Sequence, residues 1–274
     1  VLHRLWRLPV LVALLFGGLA TVFTVFPLLG DRGRERCIAT WSRWLMRACG
    51  AQVRERVAPG AEPLSAMRGT HGAGRGRLLL SNHVSWLDIF AIDALAPASF
   101  AAKAEIASWP LAGTLVARAG TVFVERGRRH AVHGVILRMG EKLAAGHRAA
   151  VFPEGTTSDG RRLLPFHGNL VQSALNVGVP MVPIGLRYID PDGEPSHAAM
   201  FVGDTTFIAS VWRVIGHPTL IVEVHVLPAI EPAPGLTRQQ AAREARAAIA
   251  ARLGLPLDDT VPEALRAVRE TAAS

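Results

Sequence analysis

The run Pro9 to Gly30, PVLVALLFGGLATVFTVFPLLG, carries no charged residue, over a length comparable to the roughly 20 residues a membrane-spanning helix needs. A chain that opens this way is expected to place that segment in lipid. A secretory signal would carry a shorter apolar run, about 7 to 15 residues, ahead of a small-residue cleavage site. No convincing site follows here, so a retained anchor is expected. Basic residues flank both ends, Arg4 and Arg7 before it and Arg32, Arg34 and Arg36 after it, and the positive-inside rule therefore gives no orientation. Keeping both ends on the cytoplasmic side satisfies the rule if this run and the next segment, Cys37 to Gly50, form a helical pair dipping into one leaflet. Spanning and one-sided insertion both stay open. The expected location is the cytoplasmic (inner) membrane, with the following domain on its cytoplasmic face.

With 274 residues, half of them hydrophobic, the rest of the chain is long enough for an enzyme-sized core. A formal charge of +8 and a sequence pI of about 11.0 favour an anionic partner. Tyrosine occurs once, and no basic run is interleaved with aromatics on which bases could stack, which sets nucleic acid below lipid. Cys37 and Cys49 are the only cysteines, too few for a disulfide framework or a cysteine metal cluster.

After Gly50 short β-branched or leucine-rich runs alternate with helical patterns, the mark of an α/β fold with a mixed sheet flanked by helices, to which the N-terminal membrane-inserted helical pair is attached. RLLLSN, ASFAAK, GTVFVER, AAVFPEG, PMVPIGLRY and TLIVEVHVL read as strands. Trp86 to Leu95, Trp109 to Ala119, His130 to Ala145 and Phe166 to Val177 read as helices, with Gly146 and Gly178 as stops. APGAEPLSAMRGTHGAGRGR reads as a loop, and an alanine- and arginine-rich helix starts at Thr237, with a shorter one after Pro262. The composition divides the chain into an anchoring segment 1–50, an α/β domain 51–235 and a helical tail 236–274.

The stretch SNHVSWLDIFAID, Ser81 to Asp93, sets His83 and Asp88 five positions apart. On one helix two such positions lie about 140° apart, so the side chains meet only if the histidine precedes the helix. The sequence allows this, because a strand ends near Ser81, and Ser85 with Asp88 matches the pattern of a capping box. Asp88 then either closes the first helical turn only, or also accepts from the imidazole and leaves the other ring nitrogen as a base. Two further strands end on chemically useful residues, Arg126 after GTVFVE and Glu154 after AAVFP, and ligand sites form at such ends. Each has a plainer reading, a basic surface run for Arg126 and a Pro-Glu-Gly turn for Glu154. No G-x-S-x-G elbow, P-loop, H-E-x-x-H or C-x-x-C occurs, which leaves no obvious nucleophile for an acyl-enzyme, no nucleotide loop and no metal ligand set. A base without a nucleophile points to direct attack by a substrate hydroxyl.

Four segments resemble, in order, the motifs of the glycerolipid acyltransferases that include 1-acylglycerol-3-phosphate acyltransferase. NHVSWLD (Asn82 to Asp88) resembles N-H-x-x-x-x-D, and GTVFVER (Gly120 to Arg126) is similar to G-x-x-F-[IV]-x-R. FPEGTTS (Phe152 to Ser158) resembles F-P-E-G-T-R-S, and VPMVPIGL (Val179 to Leu186) resembles the proline-centred fourth motif. The resemblance implies that His83 is the general base and Asp88 its orienting partner. The acyl group would come from a thioester, either acyl-CoA or acyl-acyl-carrier-protein. Acceptor binding would fall to Arg126, Glu154 and Gly155 with the motif residues Gly120, Phe123 and Thr156, while Pro183 shapes the fourth motif. It implies no metal and no bound cofactor. One departure bears on the acceptor: Thr157 stands where the family has an arginine, with Arg161 and Arg162 as substitutes. Lysophosphatidic acid is the first acceptor expected and lyso-ornithine lipid the alternative. A non-enzymatic protein docking on anionic membranes is the reading from another class.

Overall fold

The computed structural model describes residues 2–68, 74, 76–124 and 129–260. Helix α1, Leu2–Thr24, carries Pro9 within it, a single 3-10 turn, Phe26–Leu28, follows, and helix α2, Asp31–Ala48, turns back. The second helix of the pair thus begins before Cys37, through the charged segment DRGRER. Strands and helices then alternate: β1 Ala51–Val57, β2 Arg77–Ser81, α3 Leu87–Leu95, β3 Ser99–Lys103, α4 Ala112–Arg118, β4 Val122–Val124, α5 Arg129–Ala144 and β5 Arg148–Val151. After these come α6 Gln172–Val177, β6 Met181–Ile189, α7 Phe207–Gly216, β7 Leu220–Val226 and α8 Arg238–Leu253.

The strands form one seven-stranded sheet in the order β1-β7-β6-β2-β5-β3-β4. Neighbours run parallel except β6 and β7, which are antiparallel, so the α/β class with a mixed sheet holds. Two elements were not expected. The pattern AQVRERV has too many charges to read as a strand, yet as β1 it needs only one neighbour, and Arg56 Nε donates across it to Glu223 Oε1 at 3.0 Å. The other is α7, whose ten residues are mostly apolar on every side.

Side-chain alternation sorts the core into two layers. Leu78 and Leu80 of β2 face Met139 of α5, Ala174 of α6 and Ala241 of α8. Leu79, between them, faces the opposite way, toward Met46 of α2, Leu87 and Ile92 of α3 and Val214 of α7. The hydrophobic core is therefore continuous across Gly50. A buried charge adds to this union: Arg148, at the start of β5, donates to Pro97 O at 3.0 Å and Met67 O at 2.6 Å and pairs with Glu35 of α2.

Helix α1 lies outside these layers but along them. Near its start Arg4 donates to Trp212 O at 3.1 Å, and buried Arg7 donates to Ile215 O at 3.2 Å and Pro218 O at 2.7 Å. Midway Trp41 Nε1 of α2 donates to Leu14 O at 2.8 Å, and near its end the Arg118 guanidinium stands 5.4 Å above the Phe23 ring. The other side carries exposed Leu5, Leu8, Val12 and Phe16. Among the described residues, Leu2–Leu28 is the stretch long and apolar enough to cross a membrane.

Candidate active site

Parallel pairing of β2 with β5 sets Leu80 opposite Val151. The same register carried past the strand ends brings His83 beside Glu154, where open α/β sheets form their ligand clefts. The His83 N–H donates to Glu154 Oε1 at 2.8 Å. On the other side Ser81 pairs with Ile184 of β6, and beyond it the Asn82 side chain replaces the backbone. Its carboxamide donates to Leu186 O at 3.0 Å and accepts from Leu186 N–H at 2.7 Å. A side-chain amide standing in for a peptide group extends the ladder while the main chain turns away toward His83.

The imidazole is held on several sides. His83 Nδ1 lies 2.7 Å from Asp88 Oδ2, and the ring stacks on Phe152 with centroids 3.9 Å apart and planes inclined by 10°. The His83 carbonyl accepts from Ser158 N–H at 2.7 Å. Among the described residues nothing is hydrogen-bonded to Nε2, and the side chain keeps 20% exposure beside an Asp88 side chain at 0%. The ring therefore turns its free nitrogen to the one direction left open.

Asp88 answers the question its spacing raised, because it both caps and orients. Oδ2 also accepts from Val84 N–H at 2.7 Å and Ser85 N–H at 3.0 Å, and Oδ1 accepts from the Tyr188 hydroxyl. Backbone amides only donate, so Asp88 is an acceptor throughout and the proton of the histidine pair sits on Nδ1. Nε2 is left with its lone pair, as a base requires. The serine half of the expected capping box is looser: the Ser85 hydroxyl accepts from Leu87 N–H at 3.4 Å, not from Asp88.

Tyr188, the one tyrosine of the chain, is a participant that the sequence reading missed. Burial, with the nearby Asp88 charge, pushes its hydroxyl well above the ordinary value, so it stays a donor. The available signal was its place two residues from Leu186 on a buried strand, where a tyrosine hydroxyl needs a partner.

Glu154 is fully buried. That burial pushes its carboxyl up to about 8, against the pull of the His83 and Leu164 amides. It faces protein and fixes the turn that carries His83. After it, Gly155 turns at φ +71°, half-buried Thr156 follows, and the Thr157 hydroxyl donates to Phe201 O. Arg161 donates to His197 Nε2 at 3.0 Å, and Arg162 pairs with Asp258 at 3.2 Å.

The other residues named from sequence lie further off. Pro183 is inside β6 beside Leu80. Gly120 precedes β4 and Phe123 lies within it, two strands beyond β5 at the sheet edge. There they border a hollow of about 600 Å³ with Arg138 and Lys142, which His83 does not line. Arg126 falls outside the described residues. Among the described residues no cluster of three or more histidine, cysteine or acidic side chains is placed to hold a metal ion.

A family model described as Acyltransferase matches residues 60–187, which include His83, Asp88, Glu154 and Pro183. The chain is 38% identical over 206 residues to a lyso-ornithine lipid O-acyltransferase of Pseudomonas aeruginosa, covering 75% of each protein. To a 1-acyl-sn-glycerol-3-phosphate acyltransferase of Neisseria gonorrhoeae it is 40% identical over 153 residues, 54% of this chain and 58% of that one. Its fold matches the crystal structure of the 1-acyl-sn-glycerophosphate acyltransferase PlsC from Thermotoga maritima, with a TM-score of 0.60 at 20% identity, over 92% of this chain and 96% of that one. With a relative this similar across three quarters of both sequences, the chain belongs to the PlsC-like acyltransferase family and is an acyltransferase of lysolipids.

Proposed function

We propose that this enzyme moves a fatty acyl group from a thioester to the free hydroxyl of a lysolipid, with His83 as general base. Nε2 takes the hydroxyl proton as the oxygen attacks the thioester carbonyl. Asp88 holds the ring and offsets the positive charge that forms on it. When the tetrahedral intermediate collapses, the C–S bond breaks, an ester C–O bond remains, and the imidazolium returns its proton to the leaving thiolate. No metal or bound cofactor takes part in this sequence; acyl-CoA or acyl-acyl-carrier-protein is the co-substrate. The observation that carries the reading is an Nε2 with no hydrogen-bond partner among the described residues, on a histidine whose Nδ1 is 2.7 Å from a fully buried carboxylate. Glu154 acts here through the His83 main chain, not on the acceptor.

Thr157 bears on the acceptor. Where phosphatidate-forming relatives are expected to hold phosphate with an arginine, this chain has a hydroxyl bonded to its own Phe201 carbonyl. The two nearby arginines already face His197 and Asp258. This supports lyso-ornithine lipid over the lysophosphatidic acid that the motifs alone put first. The long shared span with the P. aeruginosa protein supports it too. Helix α1, tied to the domain from Arg4 to Phe23 along one side, supports insertion into one leaflet. A helix crossing the bilayer would have to leave those partners. Thioester donors are made in the cytoplasm, so the domain faces that side of the inner membrane.

The test is turnover of purified full-length protein in mixed micelles, with both lysolipids and both thioesters. The expected result is ester formation with a higher kcat/KM for the lyso-ornithine acceptor, and a loss of about 10²-fold or more in His83→Ala. Full activity in His83→Ala would overturn the base; a preference for lysophosphatidic acid would overturn the acceptor assignment alone.

A further inference from the structure

Helix α7 carries apolar residues outward as well as inward, where Val214 and Ile215 are buried. Ile208 is 80% exposed and Trp212, one turn on, 49%, whereas Ser210 between them is 0% exposed. A helix facing water does the reverse. The inversion is held in place by a bond, because the Ser210 hydroxyl accepts from Trp86 Nε1 at 3.1 Å.

The surroundings extend the same surface. The partly exposed Trp109 ring lies 5.2 Å from that of Phe207. Beside it Leu111 is presented at the apex of a tight γ-turn, with φ +63° and the Ala112 N–H turned back to Pro110 O at 2.6 Å. This is a strained conformation for a leucine. On the other flank the patch runs into α1: Arg4 donates to the Trp212 carbonyl and stands 4.8 Å above its indole, and the exposed Leu5 and Leu8 of α1 follow. Arg4 and exposed Arg213 edge the patch with positive charge. Apolar bulk, tryptophan and arginine in one continuous surface are what an anionic bilayer interface selects.

We propose that α7, with Trp109 and Leu111, is a second lipid-embedded element that enters the same leaflet as α1. Continuity with α1, the stretch long and apolar enough for a membrane, favours lipid over a second copy of the chain as the occupant. The consequence reaches the chemistry through Trp86, which lies in the turn between His83 and Asp88 and whose ring sits 5.4 Å from that of Phe207. Seating α7 in the leaflet holds the His83 turn at the level where a lysolipid presents its hydroxyl. This consequence rests on the acyl-transfer reading; the seating itself does not.

The experiment labels full-length Ile208→Cys, in a Cys37→Ser background, with an environment-sensitive fluorophore. Buried Cys49, whose thiol is pushed up to about 12, stays unlabelled. The control is Glu244→Cys on α8, in the opposite layer. On vesicles of mixed phosphatidylcholine and phosphatidylglycerol, the probe at 208 brightens several-fold, shifts to the blue and is quenched by nitroxides on the acyl chains, while that at 244 is not. Ile208→Asp with Trp212→Asp lowers the vesicle-bound fraction about tenfold or more at limiting lipid. The proposal is overturned if both probes respond alike while sedimentation shows the protein bound. It is also overturned if the signal at 208 follows protein concentration without vesicles, which reports a second copy. Because insertion is read without turnover, a protein that inserts α7 and transfers no acyl group sinks the acyl-transfer reading alone.

Discussion

Replacing Asp88 separates its two duties, and the structure sets the size of each. Asp88→Ala strands the Val84 and Ser85 amides and the Tyr188 hydroxyl, all buried. An unsatisfied buried donor costs about 1–3 kcal/mol, so the loss is about 3–9 kcal/mol against a total stability of about 5–15 kcal/mol. Asp88→Ala is therefore expected to fold poorly or not at all. Asp88→Asn is different: its carbonyl oxygen replaces Oδ2, and its amide faces a Tyr188 oxygen that can accept. The melting temperature is expected within a few degrees of wild type. The charge is nevertheless gone. A unit charge about 4 Å from the imidazolium at an effective dielectric of about 20 is worth about 4 kcal/mol, near a thousandfold in rate. Thermal melts by circular dichroism in detergent, paired with thiol release from the acyl donor, measure both quantities. Asp88→Asn retaining more than about a tenth of wild-type kcat would refute the electrostatic role. Asp88→Ala melting with Asp88→Asn would refute the cap.

Two further perturbations probe the frame around the site. Between the unfolded carboxyl value and the folded value of about 8, native Glu154 holds a proton that the unfolded chain has released, so its contribution to stability falls as pH rises through that window. Glu154→Gln, which keeps an oxygen for the His83 amide, should gain in melting temperature relative to wild type from about pH 5 to about pH 9; a constant difference would mean that the buried carboxyl does not titrate there. Arg148→Met removes the buried guanidinium that pairs with Glu35 across the α2 interface and donates to the Pro97 and Met67 carbonyls, and it is expected to cost about 3–5 kcal/mol, with Glu35→Met in the same chain restoring part of it. Equal melts for Arg148→Met and wild type would show that α2 is held by its apolar contacts alone.

What the sequence disclosed and what it withheld divide along physical lines. RLLLSN and AAVFPEG were legible as strands because both their faces are buried, so every position is apolar. Their order in the sheet was not, since parallel pairing leaves no local mark. The adjacency of His83 and Glu154 depends on that order, through the Leu80–Val151 register. The histidine and aspartate were legible as a pair because their spacing excludes one helix. Tyr188 could not be assigned, because its partner is distant in sequence and only the β2–β6 pairing brings them together. Helix α7 escaped for another reason: its ten residues are short and mostly apolar, so the run does not by itself tell a helix from a buried strand.

The same pairing explains why the site tolerates so little slack. From Asn82 to Trp86 the chain has left β2 and not yet entered α3, so no regular ladder holds it. In place of a ladder it has side chains: Asn82 fastened to Leu186, the His83 amide to Glu154, its carbonyl to Ser158, and two amides to Asp88. The fastenings come from three places: β6, the loop after β5 and the first turn of α3. A turn held this way has its backbone hydrogen bonds satisfied without being regular, and it leaves one direction free, that of Nε2. Trp86, bonded to α7, is the handle on the same turn that reaches the apolar surface. A lipid contact that shifts α7 therefore has a route to the base through the turn, besides the packing of Val214 on the sheet.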